Sequence, residues 1–193
     1  MRVLVVSLML AAALSLAGQA QAQNIPIVRG TMEFAPIGGA SIPFGDFNLT
    51  AEPGFGLGAT GSYYLMPNLA LGASVVYNSY GVDSDPMDQA SFSIWEFTAH
   101  GKYLLVPAPV TPYLKANAGM FRSSYSYDDG LGTTVDASSS DLGMGAGLGF
   151  QMRLPGSQFG LFGEGMAQWA FTEGSTTSYM TLRAGVNFVN VGR

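Results

Sequence analysis

The chain has 193 residues, of which 11% are charged, 12% are aromatic and 26 are glycine, with a net charge of −5 and no cysteine. Soluble domains carry about a quarter charged residues, so a solvated globule is a poor fit, and the acidic balance argues against a nucleic-acid partner. Without cysteine, a disulfide-stapled scaffold and a lipid-carrying cysteine are both closed to it.

Residues 1–22 read as a secretory signal peptide. Arg2 supplies the positive start, Val3 to Leu16 the apolar run, and Ala20-Gln21-Ala22 the small-residue cleavage site. The run is too short for a stable anchor. The expected mature part, residues 23–193, has the size of one domain. Nothing in it approaches the roughly 20 apolar residues that a spanning helix needs.

From Val28 onward the chain alternates with a period of two, the signature of strands with two unlike faces. A first strand is expected at 27–38. In the second, 54–65, Phe55, Leu57, Ala59, Tyr63 and Leu65 share one face and Gly56, Gly58, Thr60 and Ser62 the other. The third, 69–80, repeats this with Leu69, Leu71, Ala73, Val75 and Tyr77. Two more are expected at 91–105 and 111–124. At 141–154 the pattern is nearly strict: Leu142, Met144, Ala146, Leu148, Phe150, Met152 and Leu154 alternate with Asp141, four glycines, Gln151 and Arg153. The last two fall at 159–171 and 178–190. Lengths of roughly 11 to 15 residues suit a strand crossing a bilayer at a tilt.

Short links at 66–68, 107–110 and 155–158 alternate with longer polar loops at 41–53, 81–90, 125–140 and 172–177. Short turns on one rim and long loops on the other predict an all-β, eight-stranded antiparallel up-and-down transmembrane β-barrel.

The charges test which face meets lipid. Arg29, Glu33, Glu96, His100, Lys102, Lys115, Arg153, Glu164 and Arg183 fall opposite the large apolar side chains. That is the polarity of a membrane barrel and the reverse of a soluble ligand-binding one. Eight strands leave an interior just wide enough for side chains to fill. A lumen charge network is therefore expected in place of an open pore.

The remaining acids, among them Asp46, Glu52, Asp83, Asp85, Asp88, Asp128, Asp129, Asp136 and Glu173, gather in the long loops, which contain no lysine or arginine. Two aromatic girdles are expected at the membrane interfaces. Tyr77, Trp95, Trp169 and Phe171 would form the loop-side one, and Tyr63, Tyr103, Phe150 and Phe188 the other. Arg122 breaks the parity by lying on the apolar face near the loop rim, where it could reach a lipid phosphate.

The run from Gly54 to Leu65, Gly-Phe-Gly-Leu-Gly-Ala-Thr-Gly-Ser-Tyr-Tyr-Leu, is followed by Met-Pro-Asn-Leu-Ala-Leu-Gly-Ala-Ser at 66–74. The chain then closes on Leu182-Arg-Ala-Gly-Val-Asn-Phe-Val. With these segments it resembles the outer-membrane β-barrel domain family, the group of opacity-type proteins and the membrane domain of outer membrane protein A. The resemblance implies a cell outer membrane location, lipid and lipopolysaccharide around the barrel, and insertion by the barrel-assembly machinery. That machinery usually reads a terminal aromatic residue; this chain ends Asn190-Val191-Gly192-Arg193, with Phe188 as the substitute. The resemblance carries no shared catalytic residues.

Other motifs weaken on inspection. Gly56, Gly58 and Gly61 match a dinucleotide fingerprint, but Tyr63-Tyr64-Leu65-Met66-Pro67 offers no helix after it. His100 is the sole histidine and points inward, away from lipid substrates. Asp83, Asp85 and Asp88, and Asp128, Asp129 and Asp136, miss the spacing of a calcium loop. No cofactor or metal is expected. The expected function is non-enzymatic, structural or surface-interacting. A narrow channel for small or apolar solutes and a lipid A-modifying enzyme are the alternatives.

Overall fold

The computed structural model describes residues 27–45, 47, 51–81, 89–106, 108, 110–128, 134–154, 156–172 and 175–190. The expected signal peptide and six loop acids (Asp46, Asp83, Asp85, Asp88, Asp129 and Glu173) lie outside them. Eight strands follow in order: β1 (Met32–Phe44), β2 (Gly54–Met66), β3 (Leu69–Gly81), β4 (Gln89–Leu104), β5 (Val110–Asp128), β6 (Thr134–Arg153), β7 (Phe159–Thr172) and β8 (Ser175–Asn190). Each pairs antiparallel with its neighbours, and β1 pairs with β8, for example at Phe34↔Phe188 and Ile42↔Met180. The sheet is a closed barrel. Closure removes both sheet edges along the shared height, which a wall of this apolarity requires.

Three boundaries depart from the sequence reading. The first strand, expected at 27–38, begins at Met32 and runs to Phe44. Before it the chain turns at Gly30, whose φ of 89° belongs to the left-handed region. The Val28 amide donates to the Thr31 hydroxyl, and the Gly30 amide reaches the Tyr64 carbonyl at 2.8 Å. At its far end Ser41 and Pro43 look like loop residues by type. They nevertheless continue the inward alternation and pair with Thr181 and Tyr179 of β8.

The largest departure is at 125–140, read as a loop. There β5 and β6 stay paired from Val110↔Met152 to Asp128↔Thr134, and β4 follows them up to Gln89↔Asp128. The strand β6 first meets β7 at Leu142↔Phe171. Its segment 134–140 therefore runs past the pairing with β7 and is laddered to β5 alone, while Asp141 accepts from the Thr172 hydroxyl of β7 at 3.2 Å. Serine and aspartate are poor strand formers in isolation, but a neighbouring ladder outweighs that preference. The expected loop 172–177 likewise shrinks, because Ser175–Thr177 already belong to β8 and pair back onto β7.

Outside and inside follow the alternation. Leu142 and Leu148 are 73% and 67% exposed, and Leu57, Leu71, Leu114, Phe150 and Leu182 are exposed with them. Inward residues on the same strands are buried. The inner face of β6 is nearly bare. A side chain at Gly149 would strike the Tyr113 ring, and one at Gly145 would strike Asn117 and Gln168. Glycine there makes room for bulk arriving from β5 and β7.

Three apolar clusters divide the interior. Tyr64, Ala70, Leu104 and Tyr113, with Ile27, occupy the turn end. Ala35, Ile37, Val76 and Phe162 form the middle. Ala51, Tyr80, Ile94, Phe121, Ala170 and Tyr179, joined by Phe47 and Phe92, fill the loop end.

Candidate functional site

Alternation sends the charged side chains of β1, β4, β5, β7 and β8 into one narrow lumen. Toward the turn end, Lys102 Nζ lies 2.6 Å from Glu33 Oε1 and donates to Gln151 at 3.0 Å. The Tyr64 hydroxyl donates to the other Glu33 oxygen at 3.0 Å. The ammonium also sits 5.4 Å and 5.3 Å from the ring centres of Tyr64 and Tyr113, within cation–π range. Beside it, Lys115 holds both oxygens of Glu164 at 3.1 Å, and Tyr113 donates to Glu164 at 3.0 Å.

Toward the loop end stands a single pair. Arg183 Nη2 reaches Glu96 Oε1 at 2.7 Å. The same oxygen accepts from Asn78 at 2.7 Å and from Tyr179 at 2.8 Å. Above it the Ser41 and Tyr80 hydroxyls meet at 2.6 Å, and the aromatic cluster closes over them. Phe47 packs edge-on against Tyr80 and Phe92, each at 5.3 Å. Its loop is tied down by the Ala51 amide on the Phe47 carbonyl and the Glu52 amide on the Gly81 carbonyl.

Burial takes each ion out of water, and only pairing plus further hydrogen bonds offsets that cost. Each carboxylate accordingly has a tyrosine donor besides its cation. All three pairs cross between strands that are not neighbours: β1 to β4, β5 to β7, and β4 to β8.

Of the nine residues expected in the network, six form these pairs. Arg153 is half-buried on the inward side near the turn end of β6. Two expectations are corrected. Arg29 is exposed and lies in the turn before β1, because Gly30 ends the alternation before it reaches that position. His100 is buried in the lumen but bonded to hydroxyls: Ser62 at Nε2 (3.0 Å) and Ser74 at Nδ1 (3.1 Å). Ser74 spends its proton on Thr60 at 3.0 Å, so the ring Nδ1–H donates to Ser74.

The eight girdle positions all stand on the outer face. Tyr77 and Trp95 are neighbours at 5.0 Å, and Trp169 meets Phe44 at 6.5 Å across the small Ser178. At the turn side Phe188 meets Phe159 at 5.0 Å. Tyr63, Tyr103, Phe150 and Phe171 are exposed on the same surface.

Sequence reasoning singled out charges and passed over Tyr64, Asn78, Tyr113, Gln151 and Tyr179, which supply the remaining bonds. Their signal was available: each lies in phase with an inward charge on its own strand or on a paired one, as Tyr113 does with Lys115. Phe47 and Ala51 had no such signal, since they reach the lumen from a loop.

Among the described residues no group of three or more His, Asp or Glu side chains could hold a metal ion. No curated protein matches the chain. Among solved structures, Neisserial surface protein A is similar at 20% identity and TM-score 0.58, over 82% of this chain and 96% of that one. The attachment invasion locus protein of Yersinia pestis is similar at 18% identity and TM-score 0.56, over 83% and 100%. A major outer membrane protein of Thermus thermophilus is similar at 14% identity and TM-score 0.56, over 82% and 99%. These likenesses establish the fold. The family model for the outer membrane protein beta-barrel domain matches residues 5–189, so the chain belongs to that family and resides in the cell outer membrane.

Proposed function

We propose that this barrel is non-enzymatic and serves a structural or surface-interaction role, holding acidic loops above a lumen stoppered by its own side chains. One observation carries the reading: three buried ion pairs span the lumen between non-adjacent strands, beneath an aromatic plug. A passing solute would have to break them, and separating a buried pair costs about 3–5 kcal/mol. The exposed aliphatic belt between two aromatic levels supports contact with hydrocarbon and headgroups.

Lipid A chemistry finds no support in the same geometry. His100 is 4% exposed, faces the lumen and is held by two serines, out of reach of a lipid ester. The lumen carboxylates are already engaged by cations.

A narrow channel draws on a different feature. The amide group of Gln168 and the hydroxyls of Thr98 and Thr181 are enclosed with no hydrogen-bond partner among the described residues, and such groups favour water. Planar-bilayer recording separates the two. The stoppered barrel gives no steady openings; regular single-channel steps from purified protein would put the channel first.

A further inference from the structure

Above its last rung with β7, strand β6 leaves the closed wall and becomes an open sheet edge. Residues 134–140 ladder to β5 alone, and β7 turns back into β8 below them, at Thr172↔Ser175. The register with β5 runs without a bulge up to Asp128↔Thr134. The groups that this edge offers follow from one bond at the other end of the strand. There the Leu154 amide donates to the Phe159 carbonyl at 3.0 Å, so even-numbered residues of β6 bond toward β7 and odd-numbered ones toward β5. Carried upward, the alternation turns the N–H and C=O of Thr134, Asp136, Ser138 and Ser140 to the open side.

Such an edge is a template for a further strand, and proteins usually blunt it with lysine, proline, a bulge or a cover. Segment 134–140, Thr-Val-Asp-Ala-Ser-Ser-Ser, has none of the first three. Residues 136–140 are all exposed, those in phase with the lumen as much as those in phase with the outer wall. Among the described residues, therefore, nothing covers them. The opposite edge of this sheet is far shorter, since β4 clears β3 by Gln89 and Ala90 alone. Charge selects the occupant. Asp136 stands on the edge, Asp141 lies at its foot, and the four long loops hold nine acidic residues and no lysine or arginine. A second copy would set acid against acid. Two β6 edges in one membrane also run in the same direction, and parallel pairing is the weaker kind.

We propose that the open edge of β6 is a strand-addition site for an extended, basic peptide segment of an external protein. The incoming backbone runs antiparallel to β6 and completes the bonds of Thr134, Asp136, Ser138 and Ser140, the mode in which main-chain bonds give affinity and side chains give specificity. A lysine or arginine opposite Asp136 pairs with it across the strands. Ala137, Ser138, Ser139 and Ser140 are small, so they crowd no neighbour on either face, and selection rests on charge. The proposal names the partner for the surface-interaction role given above and rests on that reading.

The test uses the folded protein in phosphatidylcholine nanodiscs, with heat-modifiability on a gel to show that each variant is inserted. The probe is a synthetic peptide of alternating lysine and threonine. Its controls are the same peptide N-methylated at every lysine and a glutamate–threonine counterpart. The expected result is binding of the lysine peptide, weakened at least tenfold by N-methylation and lost with glutamate. Ser138→Pro removes an N–H from the open side and leaves the β5 ladder whole, since proline is tolerated on an edge in that phase; it weakens binding at least tenfold. Asp136→Lys reverses the preference between the two charged peptides. Ser93→Ala, on β4, has no effect. Equal binding of the N-methylated peptide, indifference to Ser138→Pro and Asp136→Lys, or self-association of the free barrel that Ser138→Pro abolishes would overturn the proposal. Planar-bilayer conductance is read on the same protein. Steady openings strike the stoppered, surface-interacting reading, whereas a silent barrel that ignores the peptide strikes this site alone.

Discussion

The two ends of the lumen solve the same problem with different redundancy. At the turn end, Lys102 has a carboxylate, a glutamine amide and two ring faces around it, and a second ion pair stands close by. At the loop end, one oxygen of Glu96 collects Arg183, Asn78 and Tyr179. The turn end can lose a partner and regroup. The loop end depends mainly on one atom, besides which Arg183 keeps only a longer bond to Asn78 Oδ1 at 3.3 Å.

That contrast ranks the expected losses. Glu96→Ala leaves a buried guanidinium without its counter-charge, holding only Asn78 Oδ1 at 3.3 Å, and removes the acceptor of two further donors, so about 3–5 kcal/mol of stability goes with it. Urea unfolding in lipid vesicles should read this as a large fall in midpoint at unchanged slope. Glu33→Ala removes the corresponding acid at the turn end. There Lys102 keeps Gln151 and the tyrosine rings, with cation–π contacts worth ~0.5–2 kcal/mol. The loss should be smaller, roughly 1–3 kcal/mol. Equal losses in the two variants would remove the claimed difference between the ends. The smallest effect is expected from Tyr64→Phe, which deletes one donor to Glu33 and leaves its lysine in place, at about 1.5 kcal/mol. A Tyr64→Phe loss as large as that of Glu33→Ala would mean that the hydroxyl, and not the lysine, secures the acid.

The sequence was most readable where a residue's position depends on one rule. Strict alternation located β2, β3, β6 and β7 and turned Glu33, Glu96, Lys102, Lys115, Glu164 and Arg183 inward, because lipid outside and ions inside leave each parity one destination. It failed where a second physical effect intervened. Arg29 was carried along by parity past a glycine turn that ends the strand. Ser41 and Pro43 were dropped from β1 because their types suggest loops, yet β8 supplies a ladder for them. The upper parts of β5 and β6 were lost for the same reason, since pairing between strands leaves no trace in local propensity. Pairing partners inside the lumen were also beyond reach. Alternation points Arg183 inward but does not say whether it meets Glu96 or Glu164, which depends on stagger around the closed wall.

The upward extension of β5 and β6 also bears on how an acidic protein tolerates an anionic surface. Asp136 is paired with Ser126, four residues up β5 from Arg122, a rise of about 13 Å. Counter-ions shorten the range of such a charge to about 8 Å at physiological salt. Negative charge carried that high is electrically invisible to phosphates at the bilayer surface, so the rigid sheet works as an insulating spacer. Acidity aimed outward and attraction toward lipid below thus coexist in one short chain without opposing each other.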